Sequence, residues 1–294
     1  MAEVIDGIEE FLAEERLPAS YSEQVSAYFQ PFISALEKPM RSGDLRVLGI
    51  HGAQGSGKST LAGYFAWYLR RRGLSVAVVS LDDFYLRRAE REELAELVHP
   101  LFATRGVPGT HDVRLGVETL QQLLALRAGQ SLPVPRFDKL ADDRFAEEKW
   151  SRLQGPMDVV IFEGWCVGAL PQSDDELVPP VNELERREDA EGRWRQRVND
   201  MLAHEYQRWF AHIDYLLMLE APGFACVAEW RLEQEQRLAA RRGQAAAMDA
   251  EAVGRFVSYY QRLTEHSLRE LPITADGVMR LDVDRNVVEM RTRQ

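Results

Sequence analysis

Five short apolar runs punctuate this chain, at residues 45–50, 75–81, 158–162, 214–219 and 277–283. The second and third centre on Val76-Ala77-Val78-Val79 and Val159-Val160-Ile161-Phe162, with no polar residue between. Runs without alternation predict strands covered on both faces, as in a parallel sheet. Long helical patterns separate the runs, so the class is α/β. Residues 3–38 read as two amphipathic helices packed ahead of the first strand. At 294 residues the chain reads as one large domain (1–294) with enough length for a sizeable core. Residues 172–192 are Pro-containing and acidic, and predict a solvated excursion.

The turn after the first run carries the clearest chemistry. Gly52-Ala53-Gln54-Gly55-Ser56-Gly57-Lys58-Ser59-Thr60 fits the phosphate-binding loop G-x-x-x-x-G-K-[ST], between a strand and a helix that starts near Leu61. Its glycines let backbone N–H groups face a phosphate chain, and the helix N-terminus adds partial positive charge. Lys58 is placed to reach the β- and γ-phosphates and Ser59 to hold Mg²⁺.

Acidic residues end the next two strands. Asp82 and Asp83 follow the second, where ligands bind in an open parallel sheet. One carboxylate can hold Mg²⁺ or take a proton from an acceptor hydroxyl, a role assigned to Asp82. Asp83 is expected to cap the following helix, and with Tyr85 it is also placed beside the acceptor. Glu163, at the end of the third run, is the third acid, with Gly164 permitting close backbone approach. Ser59, Asp82 and Glu163 form the candidate metal set. Between these strands, residues 85–150 read as an acceptor-binding insertion. Arg105, His111, Asp112, Arg136, Lys139 and Arg144 lie on its Gly- and Pro-marked loops, and its Arg, His and Lys suit a small acidic substrate. Further on, residues 229–250 read as an exposed helix with basic residues on one side. Arg231 and Arg237 could close from it as a lid over the transferring phosphoryl.

Composition narrows the partners. A net charge of −11 and a pI near 5.2 argue against nucleic acid. No apolar run approaches the roughly 18 residues that span a bilayer, so no membrane partner is expected. Cys166 and Cys226 are the only cysteines, which fits a reducing, cytoplasmic setting. The chain sets no oligomeric state. A GTPase is disfavoured, because no Asn-Lys-x-Asp is present and the third strand ends in Glu163-Gly164 rather than Asp-x-x-Gly.

Taken in order, Gly52 to Ser59, Ser80 to Tyr85, Gly109-Thr110-His111-Asp112, Pro135 to Lys139, Phe162 to Trp165 and Trp230 to Glu235 resemble the plant-type D-glycerate 3-kinase family. That group and its bacterial and fungal relatives sit beside uridine kinase, phosphoribulokinase and bacterial pantothenate kinase. The resemblance implies a P-loop three-layer fold with a parallel five-stranded sheet in the order 2-3-1-4-5. It also implies ATP as donor, a base at Asp82, an acid at Glu163 and a lid near residues 229–242. The family's C-terminal stretch would put Asp282, Asp284 and Arg285 near adenine. The reading is therefore an ATP- and Mg²⁺-dependent kinase of a small acidic hydroxyl compound, D-glycerate first. A nucleoside or pantothenate kinase is the nearest alternative, and an ATP-dependent switch is the alternative from another class.

Overall fold

The computed structural model describes residues 7–242 and 250–293. Its main sheet has six strands: β1 (Val47–Gly52), β2 (Val76–Ser80), β3 (Val159–Gly164), β4 (Tyr215–Glu220), β5 (Gly277–Leu281) and β6 (Val287–Thr292). Their spatial order is β2-β3-β1-β4-β5-β6. The first five run parallel, and β6 returns antiparallel on β5 through the tight turn at 282–286. The expected count of five is thus corrected to six. Val287–Thr292 is short and mixed, the pattern of an edge strand with one open face rather than of a strand covered on both.

Period-two alternation sorts each central strand between two cores. Leu48, Ile50, Val159 and Ile161 face one way. They pack on helix α1 (Lys58–Arg71) and the N-terminal helices. Val47, Ala77, Val79, Val160 and Phe162 face the other way, toward helix Val113–Ala125 and the aromatic group Tyr206, Trp209 and Phe210. A strand buried on both faces has no polar side to show, which is why these runs read as continuous.

The N-terminal helices span Ile8–Glu15 and a longer rod, Tyr21 to Ser42, interrupted by a π-turn at Val25–Phe29. They extend past residue 38 and complete the core. Phe11 meets Tyr64 and Trp67, and Phe32 stacks on Phe65.

The acidic stretch 172–192 is largely exposed, as expected, but it is neither irregular nor wholly solvated. It folds into short helices at Asp174–Leu177 and Glu183–Glu188. Glu185 and Asp189 are buried, and each meets an arginine: Glu185 with Arg262 at 2.6 Å, Asp189 with Arg195 at 3.0 Å. Arg262 comes from 77 residues away and Arg195 from just beyond the stretch, so the composition of the stretch alone could not reveal either pairing.

Candidate active site

β1 ends at Gly52, and the chain turns through Ala53–Gly57 into α1, whose first residues are Lys58 and Ser59. Gly57 sits at the N-cap with φ 90°, and Gly55 has φ +75°, backbone that favours glycine. A Cβ at Gly55 would also lie 2.7 Å from the Trp230 Cβ, so the helix Phe224–Arg242 rests directly on the loop. Ser59 donates to Glu163 Oε1 at 3.1 Å. Around the loop, the side chains of Gln54 and Ser56 and the Glu163 Oε2 atom are buried without hydrogen-bond partners among the described residues. Unpartnered buried polar atoms are costly. They stand around the loop as groups a polar ligand could satisfy, and the Ser59 and Glu163 oxygens are the hard donors that Mg²⁺ prefers.

Parallel pairing of β1, β2 and β3 brings Glu163 beside the end of β2. The chain then makes a 3₁₀ turn at Leu81–Phe84. That turn needs Gly164, where a Cβ would stand 2.5 Å from the Leu81 Cβ. Asp82 accepts from Lys139 Nζ at 2.7 Å and from the Tyr85 hydroxyl at 3.0 Å. Burial pushes the Asp82 carboxyl up, but Lys139 and Lys58 outweigh it and hold the group well below the usual carboxylate range. Glu163 moves the other way, raised by burial against the pull of Lys58. Two acids thus face one lysine with opposite electrostatic bias.

Asp83 caps no helix, which corrects that expectation. It accepts from Arg136 Nη1 at 2.6 Å and from the Phe137 amide at 3.1 Å. It therefore ties the insertion to the core and brings Lys139, two residues beyond Phe137, onto Asp82. Arg105 pairs with Asp142 and lies over the Phe137 ring. Arg144 and Asp112 have local tasks. Asp112 caps helix Val113–Ala125 through the Leu115 amide at 3.0 Å. Arg144 holds Asp112 at 3.3 Å and donates to the Tyr85 carbonyl.

His111 is buried and stacks on Tyr85 at 4.4 Å between ring centroids. Burial pushes it down to about 3, so the imidazole is neutral. Its Nδ1 lies 2.6 Å from the Tyr206 hydroxyl, and its Nε2 is buried without a partner among the described residues. Tyr206 gave no sequence signal, since it sits in an ordinary helical pattern more than 90 residues from His111.

Arg231 lies over the Phe256 ring. The side chain of Arg237 lies outside the described residues. Trp230 donates to the Val283 carbonyl at 2.7 Å, and Arg285 covers its ring while pairing with Glu233. The 282–286 turn therefore stands beside the helix that seats on the loop. Asp282 is engaged within that turn by the amides of Asp284 and Asn286.

Comparison with known proteins places this geometry. Residues 19–85 match the family described as Methylmalonyl Co-A mutase-associated GTPase MeaB. That span is under a quarter of the chain and holds the phosphate loop and β2 but not Glu163. The chain is 39% identical over 235 residues to the "Uncharacterized kinase mug58" of Schizosaccharomyces pombe, spanning 76% of this chain and 82% of that one. It is 33% identical over 221 residues to "D-glycerate 3-kinase, chloroplastic" of Arabidopsis thaliana, covering 73% of this chain and 46% of the plant protein. The chain belongs to the D-glycerate 3-kinase family of P-loop kinases. A solved member of this family, D-glycerate 3-kinase from Cryptococcus neoformans, superposes with a TM-score of 0.73 at 26% identity, covering 91% of this chain and 99% of that one. As a family member the chain is a phosphotransferase acting on an alcohol group. The short match to a GTPase family falls on the segment that carries the phosphate-binding loop, Gly52 to Ser59.

Proposed function

We propose that this kinase transfers the γ-phosphoryl of ATP to a hydroxyl of a small acidic acceptor, with D-glycerate as substrate. The observation that carries this reading is the Asp82 carboxylate, gripped by Lys139 and Tyr85 within the field of Lys58. An ionised acid there can orient an acceptor hydroxyl and receive its proton. Lys58 and the loop amides offset phosphate charge from the opposite side. Ser59 and Glu163, with Asp82, are the residues that would hold Mg²⁺, which when bound neutralises charge on the phosphates.

The insertion supplies the acceptor end of the site. Arg136 and Lys139 lie within 2.7 Å of Asp83 and Asp82, and Arg105 reaches the Lys139 carbonyl. An acceptor carboxylate would exchange one of these internal ion pairs for its own. A nucleoside would need an open stacking surface, whereas Tyr85 and His111 already stack on each other. The names of the plant and Cryptococcus relatives support glycerate within this class. Arg231 stands on the helix that rests on Gly55, from which it would support the transferring phosphoryl.

The test is ADP release from Mg-ATP by purified protein with D-glycerate, uridine, pantothenate, ribulose 5-phosphate or no acceptor. Stimulation by D-glycerate alone is expected. Stimulation by uridine or pantothenate instead would overturn the acceptor. ADP release that ignores every acceptor would point to a switch.

A further inference from the structure

Tyr206 lies deep in the core, 95 residues from His111 in sequence, in a stretch where the helix widens into a π-turn at Leu202–Tyr206. Such turns re-aim side chains and cluster at functional sites. The ring packs edge-on against His111 and Phe210 and is fully buried. Its oxygen accepts the Gly109 N–H at 3.1 Å. The same oxygen lies 2.6 Å from His111 Nδ1.

Hydrogen-bond accounting fixes the protons. The Gly109 N–H already occupies the phenol oxygen as an acceptor, and a buried phenol O–H needs an acceptor of its own. Among the described residues, His111 Nδ1 is the acceptor within reach. A nitrogen that accepts carries no proton, so the neutral ring carries its hydrogen on Nε2. The reverse arrangement would strand a buried phenol O–H with no acceptor. Nε2 itself is buried, has no partner among the described residues, and points away from Tyr206. The Tyr85 ring that stacks on His111 carries its hydroxyl to Asp82 at 3.0 Å, so the two groups are linked through one side chain. An unpaired buried donor one aromatic ring away from the carboxylate that would receive the acceptor's proton is a place for a ligand oxygen.

We propose that Tyr206 is a positioning residue: it locks His111 as the Nε2–H tautomer, so that a buried neutral donor meets a carboxylate or carbonyl oxygen of the acceptor beside its reacting hydroxyl. This rests on the reading of the site as an acceptor pocket. It makes the pocket selective for an oxygen at that position, because an analogue lacking it leaves Nε2–H unpaired.

Long-range ¹H–¹⁵N spectra of protein carrying ¹⁵N-histidine test the tautomer directly. The chain has six histidines. The His111 ring is identified by its contacts to the Tyr206 ring, and its loss in His111→Gln is a second assignment. The expected pattern is a protonated Nε2 and an unprotonated Nδ1. An Nδ1–H tautomer would overturn the proposal whatever the acceptor is. Tyr206→Phe keeps the shape and removes the hydroxyl. It is expected to mix the tautomers and raise the KM for D-glycerate about tenfold, as for one lost hydrogen bond, with the KM for ATP unchanged. An unaltered tautomer and an unaltered KM in that variant would also overturn it. Absence of glycerate turnover in the unmodified protein would instead defeat the functional reading, and the tautomer spectrum would stand apart from it.

Discussion

Asp83 is the hinge between the kinase core and its insertion, and replacing it should affect the two substrates differently. Asp83→Ala removes a charge-assisted bond to Arg136 at 2.6 Å and a bond from the Phe137 amide at 3.1 Å. A buried bond of the first kind contributes about 1.5–3 kcal/mol. The Arg136 side chain is 36% exposed, so solvent screening reduces this to about 1–2 kcal/mol. The amide bond adds about 1 kcal/mol. Part of that total is recovered by water, leaving roughly 1.5 kcal/mol, or about tenfold in the population of the tied-down loop. Because the loop carries Lys139 onto Asp82, the KM for the acceptor should rise about tenfold. The KM for ATP should stay within about twofold, since the phosphate loop is untouched. Steady-state kinetics with each substrate varied in turn measures both. A double cycle of Asp83→Ala and Arg136→Ala should give a coupling of about 1 kcal/mol. A coupling near zero, or equal rises in both KM values, would refute the claim that Asp83 acts by tethering the insertion.

Lys58→Ala and Asp82→Asn should each lower kcat by roughly 10²-fold or more while circular dichroism shows an intact fold. Near-normal turnover in Asp82→Asn would remove the base assignment. Arg262→Met should cost about 3–5 kcal/mol and lower Tm by roughly 6 °C or more, because it leaves the buried Glu185 charge unpaired. A drop of a degree or two would mean Glu185 is not held as a charge by Arg262. His51, buried in β1 and bonded through Nδ1 to the Val167 carbonyl, is pushed down to about 4 by burial, against 6.5 in the unfolded chain. The folded state therefore binds fewer protons than the unfolded state between those values, and stability is lost as pH falls from about 6.5 toward 4. Urea unfolding of His51→Gln should show an acid-induced loss between about pH 7 and pH 5 smaller by about 2 kcal/mol. An unchanged loss would place the acid sensitivity elsewhere.

Much of the site was legible because its parts are local. The phosphate loop is a contiguous stretch whose glycines have only one economical explanation, and Glu163 stands at the end of an apolar run that could only be a central strand. Asp83 was misread because a carboxylate after a strand looks the same whether it caps a helix or grips an arginine 53 residues away. Asp112 and Arg144 illustrate the same limit, since a loop charge that faces a ligand and one that caps a helix share one composition. Glu185 and Asp189 looked solvated because their arginines lie outside their own segment. β6 was missed because an edge strand with one open face lacks the continuous apolar signature of the strands inside. Tyr206 was invisible for a deeper reason. Its role is defined by one hydrogen bond across the fold, and nothing in its own neighbourhood distinguishes it from a core aromatic.

The central claim is transfer of a phosphoryl group from ATP to a glycerate hydroxyl beside Asp82. ³¹P NMR of a reaction containing Mg-ATP, D-glycerate and purified protein follows that group directly. Transfer to glycerate predicts a new phosphate-ester resonance, split by coupling to carbon-bound protons, growing in step with ADP. An inorganic phosphate resonance growing in its place would contradict it.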